Sequence, residues 1–133
     1  MTAVGVIGLG DIGRGVADAF VRAGLDLGVC DLKAEATAPF ESIARVAATP
    51  ASLGSMSDVV VVAVVDDRQV IAVLDGAEGA LAGMAGGSGG SAVVILSTVA
   101  PSTVGAVAEK AAARGIDVVD CGVSGGPAAA ASG

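Results

Sequence analysis

Gly5-Val6-Ile7-Gly8-Leu9-Gly10-Asp11-Ile12-Gly13 is the stretch on which the reading of this chain turns. A β-branched run from Val4 leads straight into three glycines spaced Gly-x-Gly-x-x-Gly. In a chain with 21 glycines such a triplet is weak alone, and its surroundings give it meaning. Ile12, Val16, Ala19, Phe20 and Ala23 recur at helical spacing, and Gly24 ends the helix as a C-terminal glycine does. Residues 25–30 supply a second strand, and Asp31 follows at roughly the 20-residue offset expected of a ribose-binding acid. Strand, glycine turn, helix, strand and acid together form the layout that holds a dinucleotide's pyrophosphate and ribose.

Each residue type has a reason. Gly8 permits the tight turn out of the strand, Gly10 lets the backbone approach phosphate, and Gly13 lets the helix pack closely on the sheet. The helix amino terminus offers unpaired amides and partial positive charge to the pyrophosphate. Asp31 would accept hydrogen bonds from the ribose hydroxyls and repel a 2′-phosphate, so NAD is expected ahead of NADP. Lys33 softens that preference without reversing it. A structural strand–turn–helix with no ligand is the competing reading.

At 133 residues the chain is expected to form one domain with a real core. It is 53% hydrophobic, with a mean hydropathy of +0.81, yet its longest apolar run, residues 59–65, is far too short to span a bilayer. That length suits a strand buried on both faces of a parallel sheet. The net charge of −7 and the lack of a basic stripe argue against nucleic acid and anionic membranes as partners. With no histidine present, a Ser-His-Asp triad and a histidine-ligated metal are both excluded, and no metal is expected. Cys30 and Cys121 are too far apart for a zinc or redox motif, and both read as small buried hydrophobes. No secretory leader is visible, so a reduced cytoplasmic protein is the default.

Strand and helix alternate along the remainder. Residues 33–42 suggest a short helix interrupted near Pro39, and residues 43–48 a short extended piece. Thr49-Pro50-Ala51-Ser52 reads as a helix start, residues 59–65 as a strand, and Asp66-Asp67 as the start of a helix reaching about Leu74. Gly86-Gly87-Ser88-Gly89-Gly90-Ser91 is a loop by composition, an interdomain linker being the sharper alternative. Residues 92–96 form a further strand, Pro101 opens a helix through Arg114, and residues 116–119 form the last strand. The fold expected is a Rossmann-type, doubly wound α/β structure with a mainly parallel sheet. Ligands in such sheets lie at the carboxyl ends of the strands. That directs attention to residues 8–13, Asp31, 64–67, Ser97-Thr98 and 120–126.

Three segments carry a family resemblance. The first is the glycine stretch quoted above, against a pattern ending Gly-Leu-Gly-x-Met-Gly. The second is Ser97-Thr98-Val99-Ala100-Pro101, and the third is Asp120-Cys121-Gly122-Val123-Ser124-Gly125-Gly126-Pro127. In order and spacing the chain resembles the β-hydroxyacid dehydrogenases, which include 3-hydroxyisobutyrate dehydrogenase, tartronate semialdehyde reductase and L-threonate dehydrogenase. The resemblance implies that Gly8, Leu9, Gly10, Asp11, Ile12 and Gly13 bind the pyrophosphate and Asp31 the adenosine ribose. It implies that Val64 and Val65 line the cofactor groove, standing where the family has Leu-Pro, and that Thr98 approaches the nicotinamide. Ser124, Gly125 and Gly126 would bind the carboxylate and hydroxyl of a small hydroxy acid, since a Ser-Gly-Gly turn supplies donors without basic side chains.

Departures refine the picture. Ile12 replaces a usual Met, and Val65 replaces Pro. Gly122 replaces the Pro of the hydroxyacid pattern, as in the more distant 6-phosphogluconate dehydrogenases, but Asp31 does not suit that branch's NADP preference. The resemblance also implies a general acid/base lysine and an all-helical domain, dimer-forming in the family, beyond the Ser-Gly-Gly segment. Both lie past Gly133, so residues 1–133 are expected to be the dinucleotide-binding part of a longer, homo-oligomeric enzyme. Lys110, inside a crossover helix, cannot replace that lysine and reads as a solvated surface residue, leaving no catalytic residue within the chain. The alternatives are a 6-phosphogluconate dehydrogenase-like enzyme, a non-catalytic nucleotide-binding module and, least favoured, an S-adenosylmethionine methyltransferase.

Overall fold

Short β-branched runs become the strands of one sheet. The computed structural model describes residues 2–87 and 89–133. Strands β1 (Ala3–Ile7), β2 (Asp26–Cys30), β3 (Arg45–Val46), β4 (Val59–Val62), β5 (Ala92–Ile95) and β6 (Asp117–Asp120) lie in the order β3-β2-β1-β4-β5-β6. Every neighbouring pair is parallel. Helices α1 (Asp11–Arg22), α2 (Ala34–Thr37), α3 (Pro50–Ser55), α4 (Asp67–Leu74), α5 (Ala80–Gly83), α6 (Pro101–Ala112) and α7 (Gly126–Ser132) connect or follow them. From β1 the chain winds outward to β3, returns to place β4 on the other side of β1, and continues to β6. The direction of winding therefore switches between β1 and β4, where such sheets open a crevice at their carboxyl edge.

Both faces of the sheet are covered. Val60, Val62, Val93 and Ile95 pack one face with Leu53, Val70, Leu74, Leu81, Met84 and Val107. Val4, Val6, Leu27, Val29 and Val61 pack the other with Leu9, Ala17 and Phe40. Each fully buried valine or leucine contributes about 1.5–3 kcal/mol. Gly5 and Gly28 face each other in register, and a Cβ on either would lie within 3 Å of the Leu53 side chain, which fills the space they leave. Two helix starts are capped as their sequences suggest. Thr49 and Ser52 form a reciprocal capping box on α3, and the Asp66 carboxylate accepts from the Gln69 amide on α4. Among the described residues no helix is long and apolar enough to cross a membrane.

Several expectations need correction. The strand read over 59–65 stops at Val62, because side chains take over the next backbone groups: Ser97 Oγ donates to the Val64 carbonyl and Gln69 Oε1 accepts from the Val65 amide. Only Arg45 and Val46 of the extended piece pair with β2. Residues 33–42 divide into α2 and a 3-10 turn, Ala38–Phe40, at Pro39. The last helix and strand shift slightly, α6 ending at Ala112 and β6 running from Asp117 to Asp120. Helices α5 and α7 were hidden by their small-residue composition and lack of a side-chain cap. Cys121 is exposed rather than buried, because β6 is an edge strand with a neighbour on one side only, whereas Cys30 is buried. Ser88 of the glycine-rich loop lies outside the described residues. That loop is internal, not an interdomain linker, since β4 and β5 on either side of it pair directly.

Candidate functional site

The first turn of α1 lacks a side-chain cap, in contrast to α3 and α4, and Gly10 occupies the N-cap position. Among the described residues the amides of Asp11, Ile12 and Gly13 have no hydrogen-bond partner, and Arg14 donates the first helical bond, to the Gly10 carbonyl. A Cβ on Gly10 would meet nothing within 4 Å, so the backbone there borders open space. Gly8, with φ +89°, occupies the left-handed region that its turn requires. A Cβ on Gly13 would lie 1.7 Å from the Gly8 carbonyl oxygen and 3.2 Å from Ala63 Cβ. Its smallness thus serves the closure of the turn first and the approach to the sheet second.

Asp31 is built into this turn. Its Oδ2 accepts from the Leu9 amide at 2.7 Å and its Oδ1 from the Lys33 amide at 2.9 Å, while the Gly8 amide donates to the Cys30 carbonyl at 3.0 Å. A carboxylate offers about four lone-pair sites, so two remain for another donor. The Leu9 side chain is buried in the core and presents only its backbone to the turn. Burial, and secondarily the Asp31 charge, push the adjacent Cys30 thiol upward in pKa, which keeps it a neutral core group.

A cleft of about 280 Å³ opens beside the turn. Gly10, Asp11 and Ile12 line it from α1, Ala63 with Val64 and Val65 from the end of β4, Leu96 with Ser97 and Thr98 from the end of β5, and Val123 from beyond β6. Val65 is 82% exposed, and the exposed Thr98 hydroxyl has no protein partner among the described residues. The cleft therefore brings together six residues expected to bind cofactor: Gly10, Asp11, Ile12, Val64, Val65 and Thr98. Gly8, Leu9 and Gly13 lie behind its wall, and Asp31 flanks it through Leu9. Ser124, Gly125 and Gly126 do not line it; they adjoin it through Val123, with Gly125 and Gly126 both at positive φ.

Three further side chains shape the walls: Ser97 and Asp67 fall in the strand-end segments to which the sequence points, without the wall-holding role they take here, and the sequence assigns Gln69 no role. Gln69 and Ser97 hold the β4 loop as described above, and Asp67 Oδ2 accepts from the Ala100 amide at 2.9 Å and from Thr103 Oγ1. The Thr103 hydrogen bond, followed by that of the Ala100 amide, lowers the Asp67 carboxyl below its usual range. The one legible signal was Gln69 standing three residues after Asp66, a spacing that allows reciprocal capping. Lys110 is remote from the cleft: its Nζ lies 2.6 Å from Asp75 on the surface, and its hydrogen bond lowers the Asp75 carboxyl.

A family model described as the NAD binding domain of 6-phosphogluconate dehydrogenase matches residues 3–133. The L-threonate dehydrogenase of Cupriavidus necator is 44% identical over 131 residues, spanning 98% of this chain and 43% of its own length. Among solved structures, 3-hydroxyisobutyrate dehydrogenase from Salmonella typhimurium superposes with a TM-score of 0.88 at 32% identity, over 99% of this chain and 45% of that one. An imine reductase from Myxococcus stipitatus in complex with NAD+ shares the fold at a TM-score of 0.85 and 24% identity, over 96% of this chain and 43% of that one. The chain thus spans less than half the length of the relatives it matches.

Proposed function

The chain belongs to the NAD-binding domains of the β-hydroxyacid and 6-phosphogluconate dehydrogenase family, and from that premise we propose that it holds NAD across the cleft as the cofactor domain of a small-hydroxyacid dehydrogenase. The observation that carries this reading is the uncapped α1 terminus, whose three unpartnered amides adjoin the open space beside Gly10. Such a terminus favours an anion through both its donors and its dipole. No lysine or arginine lines the cleft, so main-chain amides are what meets the pyrophosphate.

In this reading the turn formed by Gly8, Leu9, Gly10, Asp11, Ile12 and Gly13 holds the pyrophosphate. Asp31, with two acceptor sites left, takes the adenosine ribose hydroxyls and disfavours a 2′-phosphate. The sheet order carries the rest of the argument. With the adenosine over β2, the second nucleoside must extend over β4 and β5, toward Val64, Val65 and Thr98. Bound NAD supplies the hydride acceptor. Ser124, Gly125 and Gly126 bind the substrate's carboxylate and hydroxyl, and a threonate- or 3-hydroxyisobutyrate-like acid is the substrate class. No lysine or histidine of the chain reaches the cleft to take the alcohol proton, a contribution typically worth ~10²–10⁴-fold in rate. The 133 residues alone are therefore expected to bind NAD and barely turn over, the lysine being supplied by the remaining length of such an enzyme. The Gly122-Val123-Ser124-Gly125-Gly126 run keeps a 6-phosphogluconate-type substrate as the second reading, against which Asp31 weighs. Free Cys30 and Cys121 support a reducing, cytoplasmic setting.

Isothermal calorimetry tests the proposal directly. NAD is expected to bind in the micromolar range, and NADP about tenfold or more weakly, a difference of about 1.4 kcal/mol. A folded sample that binds neither, or prefers NADP, would refute it.

A further inference from the structure

The two cleft walls beyond the glycine turn are joined by four side chains, of which Ser97 lines the cleft and Asp66, Asp67 and Gln69 do not. On one side Gln69 Oε1 accepts from the Val65 amide, and Gln69 is itself held by Asp66 through its amide. On the other, Asp67 accepts from the Ala100 amide and the Thr103 hydroxyl. Ser97 Oγ closes the circuit by donating to the Val64 carbonyl at 2.8 Å. Thr98 therefore sits between two pinned neighbours, Ser97 and Ala100, while its own hydroxyl points to no protein group among the described residues. Of these pins, Asp67 is the one that reaches from α4 to α6, thirty-odd residues along the chain, and it bears the only formal charge on the wall-to-wall link (Asp66 serves the cap within α4).

We propose that Asp67 is a positioning residue for the cofactor cleft, its carboxylate locking the loop that carries Thr98 to the amino end of α4 so that the β4 and β5 walls act as one surface. The proposal rests on the cofactor reading above and adds to it the means by which the half of the site over β4 and β5 is held. Hydrogen bonds to a charged acceptor are the stronger kind, and a loop held in its bound geometry loses less entropy when the ligand arrives. The lowered pKa of Asp67 agrees with its serving as a charged acceptor at neutral pH. Among the described residues the adenosine half of the site, formed by the glycine turn and Asp31, makes no side-chain hydrogen bond to this circuit.

That separation supplies the test. NAD and ADP are titrated by calorimetry into the 133-residue chain and into Asp67→Ala, Asp67→Asn and Thr103→Val. ADP probes the adenosine and phosphate subsite alone, whereas NAD also engages the β4–β5 walls. Asp67→Ala is expected to weaken NAD about tenfold and leave ADP within about twofold. Asp67→Asn, which keeps an oxygen acceptor for the Ala100 amide but not the charge, is expected to recover part of that loss. Thr103→Val, close to isosteric, gives a smaller loss in the same direction and serves if Asp67→Ala does not fold. Equal loss of NAD and ADP, no loss of either, or no recovery with asparagine would overturn the proposal. A wild-type chain that binds neither ligand would instead remove the cofactor reading and this inference together.

Discussion

Gly10 and Gly13 are chemically identical and three residues apart, yet the structure gives them opposite tasks. Beside Gly10 there is room for a methyl group; beside Gly13 the Gly8 carbonyl stands where a Cβ would go. Gly13→Ala is therefore expected to destabilise the fold by about 3 kcal/mol or more, lowering the unfolding temperature by roughly 10 °C. Gly10→Ala should change stability by no more than about 1 kcal/mol, the difference between these residues as N-caps, while weakening NAD about tenfold by filling the space a phosphate needs. Thermal unfolding and calorimetry on the same two variants separate the effects, and a stable Gly13→Ala would contradict the packing argument. The glycine pattern was legible in the sequence because both tasks demand the same residue. Which glycine does which task depends on the coordinates of a neighbouring carbonyl.

At the level of elements, the amino ends of α1, α3 and α4 differ in how they are finished. Thr49 and Asp66 cap α3 and α4, and these residue types announce the helix starts in the sequence. Helix α1 begins on a glycine and keeps its first amides unpaired. The α4 end also carries Asp67, and its far end leads into Asp75, paired with Lys110 on α6. Both carboxyls lie below their ordinary value in the folded chain, through the Thr103 and Lys110 hydrogen bonds respectively. A depressed folded value means stability that is fully present above the unfolded value, about 3.9, and is lost as pH falls through the folded one. The urea midpoint is accordingly expected to fall between about pH 5 and about pH 3, and to fall less steeply in an Asp67→Asn/Asp75→Asn double variant. Identical slopes would show that the two α4–α6 links do not matter to folding. Neither link was visible beforehand, because hydrogen bonds between residues more than thirty apart leave no local periodicity.

For the molecule as a whole, the least expected feature is where the end of the chain goes. Helix α7 packs on α1 opposite the sheet, close enough that a Cβ on Gly15 would lie 2.9 Å from the Ala131 amide nitrogen, and Arg22 donates to the Ala131 carbonyl. No residue of α7 is fully buried, although Ala129, Ala130 and Ala131 are half-buried, so it is held by close contact of small residues with α1 and not by a side chain inserted into the core. Gly15→Val is expected to displace it, raising amide exchange over residues 126–132 while the central strands keep their protection. Unchanged exchange in α7 would show that the contact does not hold it. The alternation of apolar strands with helical periodicity, the glycine turn and the acid after β2 together determined a doubly wound parallel sheet and the likeness to a dinucleotide site, because each is a local pattern with a local cause. What only the tertiary structure decided is what requires distant parts of the chain to meet. Strand order places Val65 and Thr98 on one cleft, the edge position of β6 exposes Cys121, and side chains of Gln69, Ser97 and Asp67 end β4 early and join its loop to that of β5. Period and spacing encode what lies next to a residue along the chain, whereas those meetings depend on how the sheet is ordered and packed.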